Sequence, residues 1–269
     1  MAIFMAMASS CSKKNAVGPS RDNYRFPLAT GNTWTYDRHI ILTFDVASGI
    51  RPPDSTFSSV TVQVVAPEVI FDSLQTIKVR EKLEMQEGAL TTYHYYQNNA
   101  DALYLIASLG LPTTLPKRAL NSPAGPSPTL IALTHPLHTF ANPVSAAAPD
   151  SLYLEQPAKI VLKYPLAEGT EWKYSEKNKP RRVNKRVLGE IAVQTAAGTF
   201  TAVQVQWIMD FDGDGAFDNN ILFIDYIANE GLIKRSFLIQ GLPVVDDDGT
   251  YIGRYNYHDL STLTSYKLY

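Results

Sequence analysis

Apolar and polar residues alternate with a period of two along much of the chain. Val60, Val62 and Val64 are separated by Thr61 and Gln63, and Val203, Val205, Trp207 and Met209 by Gln204, Gln206 and Ile208. Successive side chains of a strand point to opposite faces, so such stretches read as half-buried strands. Ile77, Val79, Leu83 and Met85 continue the pattern around Lys78, Arg80 and Lys82. Further strand-like runs cover residues 40–46, 187–194, 221–228, 232–239, 251–257 and 263–269, with turn signals at Glu87-Gly88, Ala197-Gly198, Asn229-Glu230-Gly231 and Asp248-Gly249. No long helical period competes with them. The expected fold class is all-β with little helix.

One longer pattern occurs twice. Phe26-Pro27-Leu28-Ala29-Thr30-Gly31-Asn32-Thr33-Trp34-Thr35-Tyr36 returns as Tyr164-Pro165-Leu166-Ala167-Glu168-Gly169-Thr170-Glu171-Trp172-Lys173-Tyr174. The frame reads as the approach to a strand. Proline restrains its own φ and extends the residue before it, glycine allows a turn, and Trp-x-Tyr puts two rings on one face. Those rings are read as core anchors, with a ligand platform as the alternative. Residues 75–79 match 201–205, and residues 96–99 match 226–229. The expected organisation is a signal and tether (1–23), a first β module (24–107), a Pro-rich connector (108–157) and a second β module (158–269). The connector holds nine of the 17 prolines, but Leu130-Ile131-Ala132-Leu133 inside it is apolar enough to bury.

Composition changes this picture only at the N-terminus. A chain of 269 residues with 45% hydrophobic and 19% charged residues has the balance of an ordinary globular protein. The net charge of -2 gives no reason to expect nucleic acid as a partner. No apolar run reaches the roughly 18 residues of a membrane-spanning helix. The single cysteine, Cys11, follows Ala8-Ser9-Ser10 and the apolar stretch Ala2-Ile3-Phe4-Met5-Ala6-Met7. This resembles a bacterial lipoprotein signal, in which the cysteine becomes the lipidated N-terminus. The implied anchor is a lipid on Cys11, with residues 12–22 as a polar tether.

The sharpest candidate for chemistry is Asp210-Phe211-Asp212-Gly213-Asp214-Gly215-Ala216-Phe217-Asp218. Its spacing resembles the first nine positions of a calcium loop of the EF-hand type, in which oxygens at alternating positions wrap one hard cation. Asp210, Asp212, Asp214 and Asp218 would then supply carboxylates and Ala216 its carbonyl, to hold a structural calcium ion. Ile221 stands where that family has its bidentate glutamate. The alternative is a Gly/Asp-rich hairpin turn. His135 and His138 lack the third ligand that zinc needs, and His39, His94 and His258 are single residues in strand-like settings. The basic run of residues 177–186 reads as a solvated loop, with a grip on anionic sugar or lipid as the alternative. No nucleophile elbow, phosphate-cradling loop or dinucleotide fingerprint is present, so no catalytic residues are assigned.

The repeated frame, Gly198-Thr199-Phe200 and Ala228-Asn229-Glu230-Gly231-Leu232-Ile233-Lys234 together resemble a recurring module of uncharacterised bacterial envelope lipoproteins. The first module departs from it, with Ile70-Phe71-Asp72-Ser73 where Gly198-Thr199-Phe200 would align. The resemblance implies a compartment and a fold: two tandem copies of a curved, half-barrel-like antiparallel sheet, lipid-anchored in the cell envelope at the periplasmic face or the cell surface. The leading functional reading is a non-catalytic lipoprotein that binds or scaffolds an envelope protein, glycan or lipid. The alternatives are a carrier enclosing an apolar ligand near Trp34, Trp172 or Trp207, and a glycan-acting hydrolase.

Overall fold

A computed structural model describes residues 24–46, 53–85, 88–109, 152–175, 182–210, 214–245 and 251–269. Among these the chain is all-β, 80% strand and without helix, as the alternation predicts. The first six strands are β1 (Thr33–Val46), β2 (Asp54–Ile70), β3 (Leu74–Met85), β4 (Gly88–Asn98), β5 (Ala102–Leu109) and β6 (Leu152–Lys163). The second six are β7 (Glu171–Ser175), β8 (Arg182–Thr195), β9 (Gly198–Asp210), β10 (Ile221–Ala228), β11 (Gly231–Val245) and β12 (Tyr251–Lys267). All lie in one antiparallel sheet, ordered β6-β5-β4-β3-β2-β1-β12-β11-β10-β9-β8-β7. Each set of six is a meander, and the ladder between β1 and β12 joins the two. The sheet curls into a nearly closed barrel.

The even-numbered side chains of β1 show how alternation builds the interior. Trp34, Tyr36, Arg38, Leu42 and Phe44 are buried, while Asp37, Thr43 and Asp45 are exposed. Twelve strands set in a round barrel would enclose a lumen wider than side chains fill. Here large rings occupy the space: Trp34, Trp207, Tyr36, Tyr96, Tyr257, Phe223 and Phe237 are all fully buried. Strand β8 also comes close to β11 and β12 across the interior.

Both copies of the frame enter their strands in the same way. The amide of Gly31 donates to the Val64 carbonyl at 3.0 Å, and Val64 returns a bond to Asn32 at 2.9 Å. Gly169 and Thr170 exchange the same pair of bonds with Val187, each at 2.9 Å. The turn places Gly31 at φ +90° and Gly169 at φ +80°, a region in which a Cβ clashes with the backbone. The two frames also touch at their first aromatic positions. The amide of Phe26 donates to the Tyr164 hydroxyl at 3.0 Å, and that hydroxyl donates to Asn98 at 2.9 Å. Asn98 closes the triangle by donating to the Phe26 carbonyl at 2.7 Å. Burial pushes the Tyr164 phenol up to about 12, against the opposing pull of the Phe26 amide and the Arg25 guanidinium. This end of the barrel, here the frame end, also carries the β2–β3, β4–β5, β8–β9 and β10–β11 turns and the last residues of the chain.

The remaining seam lies between β6 and β7. Side chains close it: the Trp172 indole donates to the Ile160 carbonyl at 3.0 Å, and the Lys185 ammonium to that of Val161 at 2.9 Å. Both flanking strands are blunted. Pro157 has no N–H to offer, and β7 is five residues long, two devices that keep sheet edges from pairing with other chains. Strand β6 crosses the expected boundary at 157/158 and pairs with β5, so residues 152–163 sit with the first six strands. Cys11, the tether and residues 130–133 lie outside the described residues.

Candidate functional site

Charged residues interrupt the apolar phase of several strands. Arg38 follows Tyr36, Glu81 stands between Val79 and Leu83, and Lys185 between Val183 and Val187. Asp225 stands between Phe223 and Ile227, Arg235 between Ile233 and Phe237, and Asp259 follows Tyr257. Period two therefore aims all six into the barrel, and all six are buried. Burial of a charge is costly unless it is paired. Two tight pairs result.

Arg38 binds Asp259 through Nε at 3.0–3.1 Å and Nη2 at 2.6 Å, and the Tyr257 hydroxyl adds a bond to Asp259 at 3.0 Å. Burial pulls the Arg38 guanidinium pKa down, but Asp259 more than reverses this and holds it above its usual range. Arg235 grips Asp225 through Nε at 2.6 Å and Nη2 at 2.9 Å, and the Trp207 indole donates to the same carboxylate at 2.8 Å. Trp207 is itself stacked on Phe223, with ring centroids 4.6 Å apart and planes 3° from parallel. A third pair, Lys159 and Glu155 at 2.9 Å, sits on β6.

Lys185 and Glu81 are held differently. The Lys185 ammonium lies 3.4 Å from the Trp207 ring centre and 4.7 Å from that of Tyr174, with the Val161 carbonyl as acceptor. Burial lowers its pKa well below the usual lysine range; Asp225 opposes the shift and Arg235 reinforces it. Burial likewise raises the Glu81 carboxyl well above the usual range, against the pull of Arg235 and Arg38. Strands β4 and β5 add further polar groups to this belt of buried residues. His94 lies 3.2 Å from Thr92 at Nε2 and 3.2 Å from Ser108 at Nδ1. The Tyr96 hydroxyl is fully buried and has no hydrogen-bond partner among the described residues.

This arrangement braces the interior of the barrel. Asp225 and Asp259 each already accept at least three hydrogen bonds, from a guanidinium and an aromatic donor. Removing one partner of such a pair costs about 3–5 kcal/mol, because the other charge stays buried.

The residues singled out in the sequence fall elsewhere. Asp210 is buried at the end of β9, and Asp214 lies four residues on, in the exposed loop. The Asp214 carboxylate accepts from the Ala216 amide at 2.7 Å, the Asp218 amide donates to Met209 at 2.7 Å, and Arg182 donates to the Gly215 carbonyl at 2.9 Å. Asp212 lies outside the described residues, as do His135 and His138. Among the described residues no three acidic, His or Cys side chains come together as a cation site. The basic run does not stay solvated throughout, since Lys185 is one of the most completely buried side chains. Its phase with Val183 and Val187 is the signal that marks it. Trp34, Trp172 and Trp207 are all core residues, and the Trp34 indole donates to the Glu230 carbonyl at 2.6 Å. On the outer face, His39 stacks on Phe57 at 3.9 Å, and burial lowers the pKa of His258, which sits 3.1 Å from Ser236.

No protein-family model and no curated protein matches the chain. Among solved structures, it is similar to a protein of Bacteroides fragilis named as exported and as having a YmcC-like fold. The identity is 12% and the TM-score 0.39, over 91% of this chain and 99% of that one. It is also similar to a protein of Parabacteroides distasonis named as a lipoprotein, at 16% identity and a TM-score of 0.32, over 90% of this chain and 97% of that one. At those scores neither structure bears on what this chain does.

Proposed function

We propose that this chain is a non-catalytic lipoprotein of the bacterial envelope, anchored through Cys11, whose barrel presents its outer surface to a partner and encloses no ligand. The observation that carries this reading is the filled interior. The rings that would line a carrier's pocket are packed against one another: Trp207 on Phe223, Phe223 on Phe237 at 5.0 Å, and Phe237 on Tyr257 at 5.9 Å. Ligand pockets in barrels need that volume open. The compartment rests on the Ala-Ser-Ser-Cys sequence ending at Cys11. Two tandem copies of one β module, the expectation from the repeated frame, agree with the matching hydrogen bonds at Gly31 and Gly169.

Two measurements test this. Mass spectrometry of the mature protein is expected to find an acylated Cys11 at its N-terminus, and an intact Met1 would remove the anchor. Titration with a fluorescent fatty acid is expected to show no saturable site; a site abolished by filling the region of Trp207 would establish the carrier instead.

Calcium in the acidic loop is a second proposal. It is favoured by Gly215, which occupies the bend position of the calcium-loop spacing and has φ +94°. Calorimetry is expected to give binding heat in the native protein and none in Asp212→Ala. No heat in the native protein removes the metal.

A further inference from the structure

The frame end is also where exposed apolar side chains gather. Val65, Val69 and Phe71 line the β2–β3 hairpin beyond the turn that Gly31 makes with Val64. Ile191 lies beyond the corresponding turn at Val187, and Leu268 and Tyr269 end the chain beside Gly31. Phe71 is 48% exposed and Tyr269 71%. Among the described residues, seven of the eleven exposed large apolar side chains lie toward this end, Tyr266 included, against Phe57, Leu222, Tyr251 and Ile252 toward the other, and such a concentration marks a contact surface.

The path of the chain identifies the contact. Tyr24, Phe26 and Leu28 are buried at this same end, so the described part of the chain starts here. Residues 12–23 separate Tyr24 from Cys11, a span of about 40 Å if fully extended and about 20 Å as a flexible coil. A barrel on so short a leash keeps its frame end towards whatever holds Cys11. The rim's charges are mixed: Glu68 is paired with Lys78 at 3.0 Å, and Asp72 and Lys267 are both exposed at this end, so the attraction is apolar and does not depend on anionic headgroups.

We infer that this rim rests on the phospholipid bilayer that carries the protein's own anchor, with Phe71, Leu268 and Tyr269 entering the headgroup–acyl boundary. The inference rests on the anchored-lipoprotein reading above. Aromatic rings suit that boundary, where an apolar body and a polar tip are both accommodated.

The test uses the full mature protein in vesicles of phosphatidylethanolamine and phosphatidylglycerol. A photo-crosslinking phenylalanine analogue is placed at position 71 in one sample and at position 57, on the outer face of β2, in another. Lipid adducts are expected at 71 and largely absent at 57, and Leu268→Ser with Tyr269→Ser is expected to lower the adduct yield at 71. An acylated protein giving no adduct at 71, or equal yields at both positions, overturns the rim while leaving the anchor in place. A protein without acyl on Cys11 overturns the anchor, and with it the reason for placing a bilayer here.

Discussion

The two halves of the barrel put different chemistry at corresponding places. Val64 and Val187 make the same turn bonds, and the ladders carry that correspondence across the sheet. Val64 pairs with Val79 and Val79 with His94; Val187 pairs with Val205 and Val205 with Asp225. One strand further, His94 faces Ser108, whereas Asp225 faces Arg235. Likewise Val62 faces Glu81 in the first half, and Lys185 faces Trp207 in the second. At these corresponding places one meander thus carries the polar pair His94 and Ser108, and the other an ion pair braced by an indole. The hairpin tips differ as well. Ile70 and Leu74 of β2–β3 join Tyr95, Ile106 and Ala107 in a small cluster on the outer face. Val193 and Phe200 of β8–β9 join the main core, where Phe200 meets the ring of Tyr266 edge-on. Strand order constrains the ladder and leaves the filling free.

The largest expected effects lie at the Asp225–Arg235 pair and the indole that braces it. Asp225→Ala strands a buried guanidinium, and Trp207→Ala removes a stack, a hydrogen bond and the ring beneath Lys185. Each is expected to cost about 3–5 kcal/mol in urea denaturation. His94→Ala, at the position corresponding to Asp225, is expected to cost only about 1–3 kcal/mol. Equal losses for His94→Ala and Asp225→Ala would contradict the contrast between the halves.

The glycine pair gives a smaller contrast. Gly31→Ala and Gly169→Ala both force a left-handed backbone on alanine, at about 1–2 kcal/mol each. A Cβ on Gly31 also meets the Tyr269 ring at 3.0 Å, whereas a Cβ on Gly169 meets nothing within 4 Å. Gly31→Ala is therefore expected to unfold at the lower temperature.

Glu81 and Lys185 should respond least, and in a direction fixed by linkage. The folded Glu81 carboxyl titrates above its unfolded value of 4.5, so its contribution is complete below that pH and is lost as pH rises through the folded value. Glu81→Gln is expected to flatten that part of the stability–pH curve and to stabilise the protein at neutral pH. Lys185 is depressed instead, so its contribution is present above the unfolded value of 10.5 and is lost as pH falls through the folded value. Lys185→Met is expected to be neutral or mildly stabilising at neutral pH. A large loss in that variant would show that the amine holds the seam.

Period two in residues 60–64 and 203–209 was enough to make the fold class legible, and the frame marks where both halves begin. The register is readable to within one residue. The match of Tyr96 to Tyr226 is off by one, because the ladders place Ile227 opposite Val203 where Tyr96 stands opposite Ile77. The belt is harder to see. A charge in a strand is ordinarily assigned to the solvent face, and only its phase with Val79 and Leu83, or with Phe223 and Ile227, shows otherwise. Which buried charges meet is set by strand order, and no short window of sequence contains Arg38 and Asp259 together.

The ladder between β1 and β12 has a consequence for how the molecule comes into being. Among the described strands the first pairs with the last, some two hundred residues later in the chain. Until β12 docks, β1 offers one bare edge to any neighbouring unfolded chain. The molecule's weakest moment is therefore its assembly, and a chaperone guarding β1 would matter more than any single contact in the finished barrel.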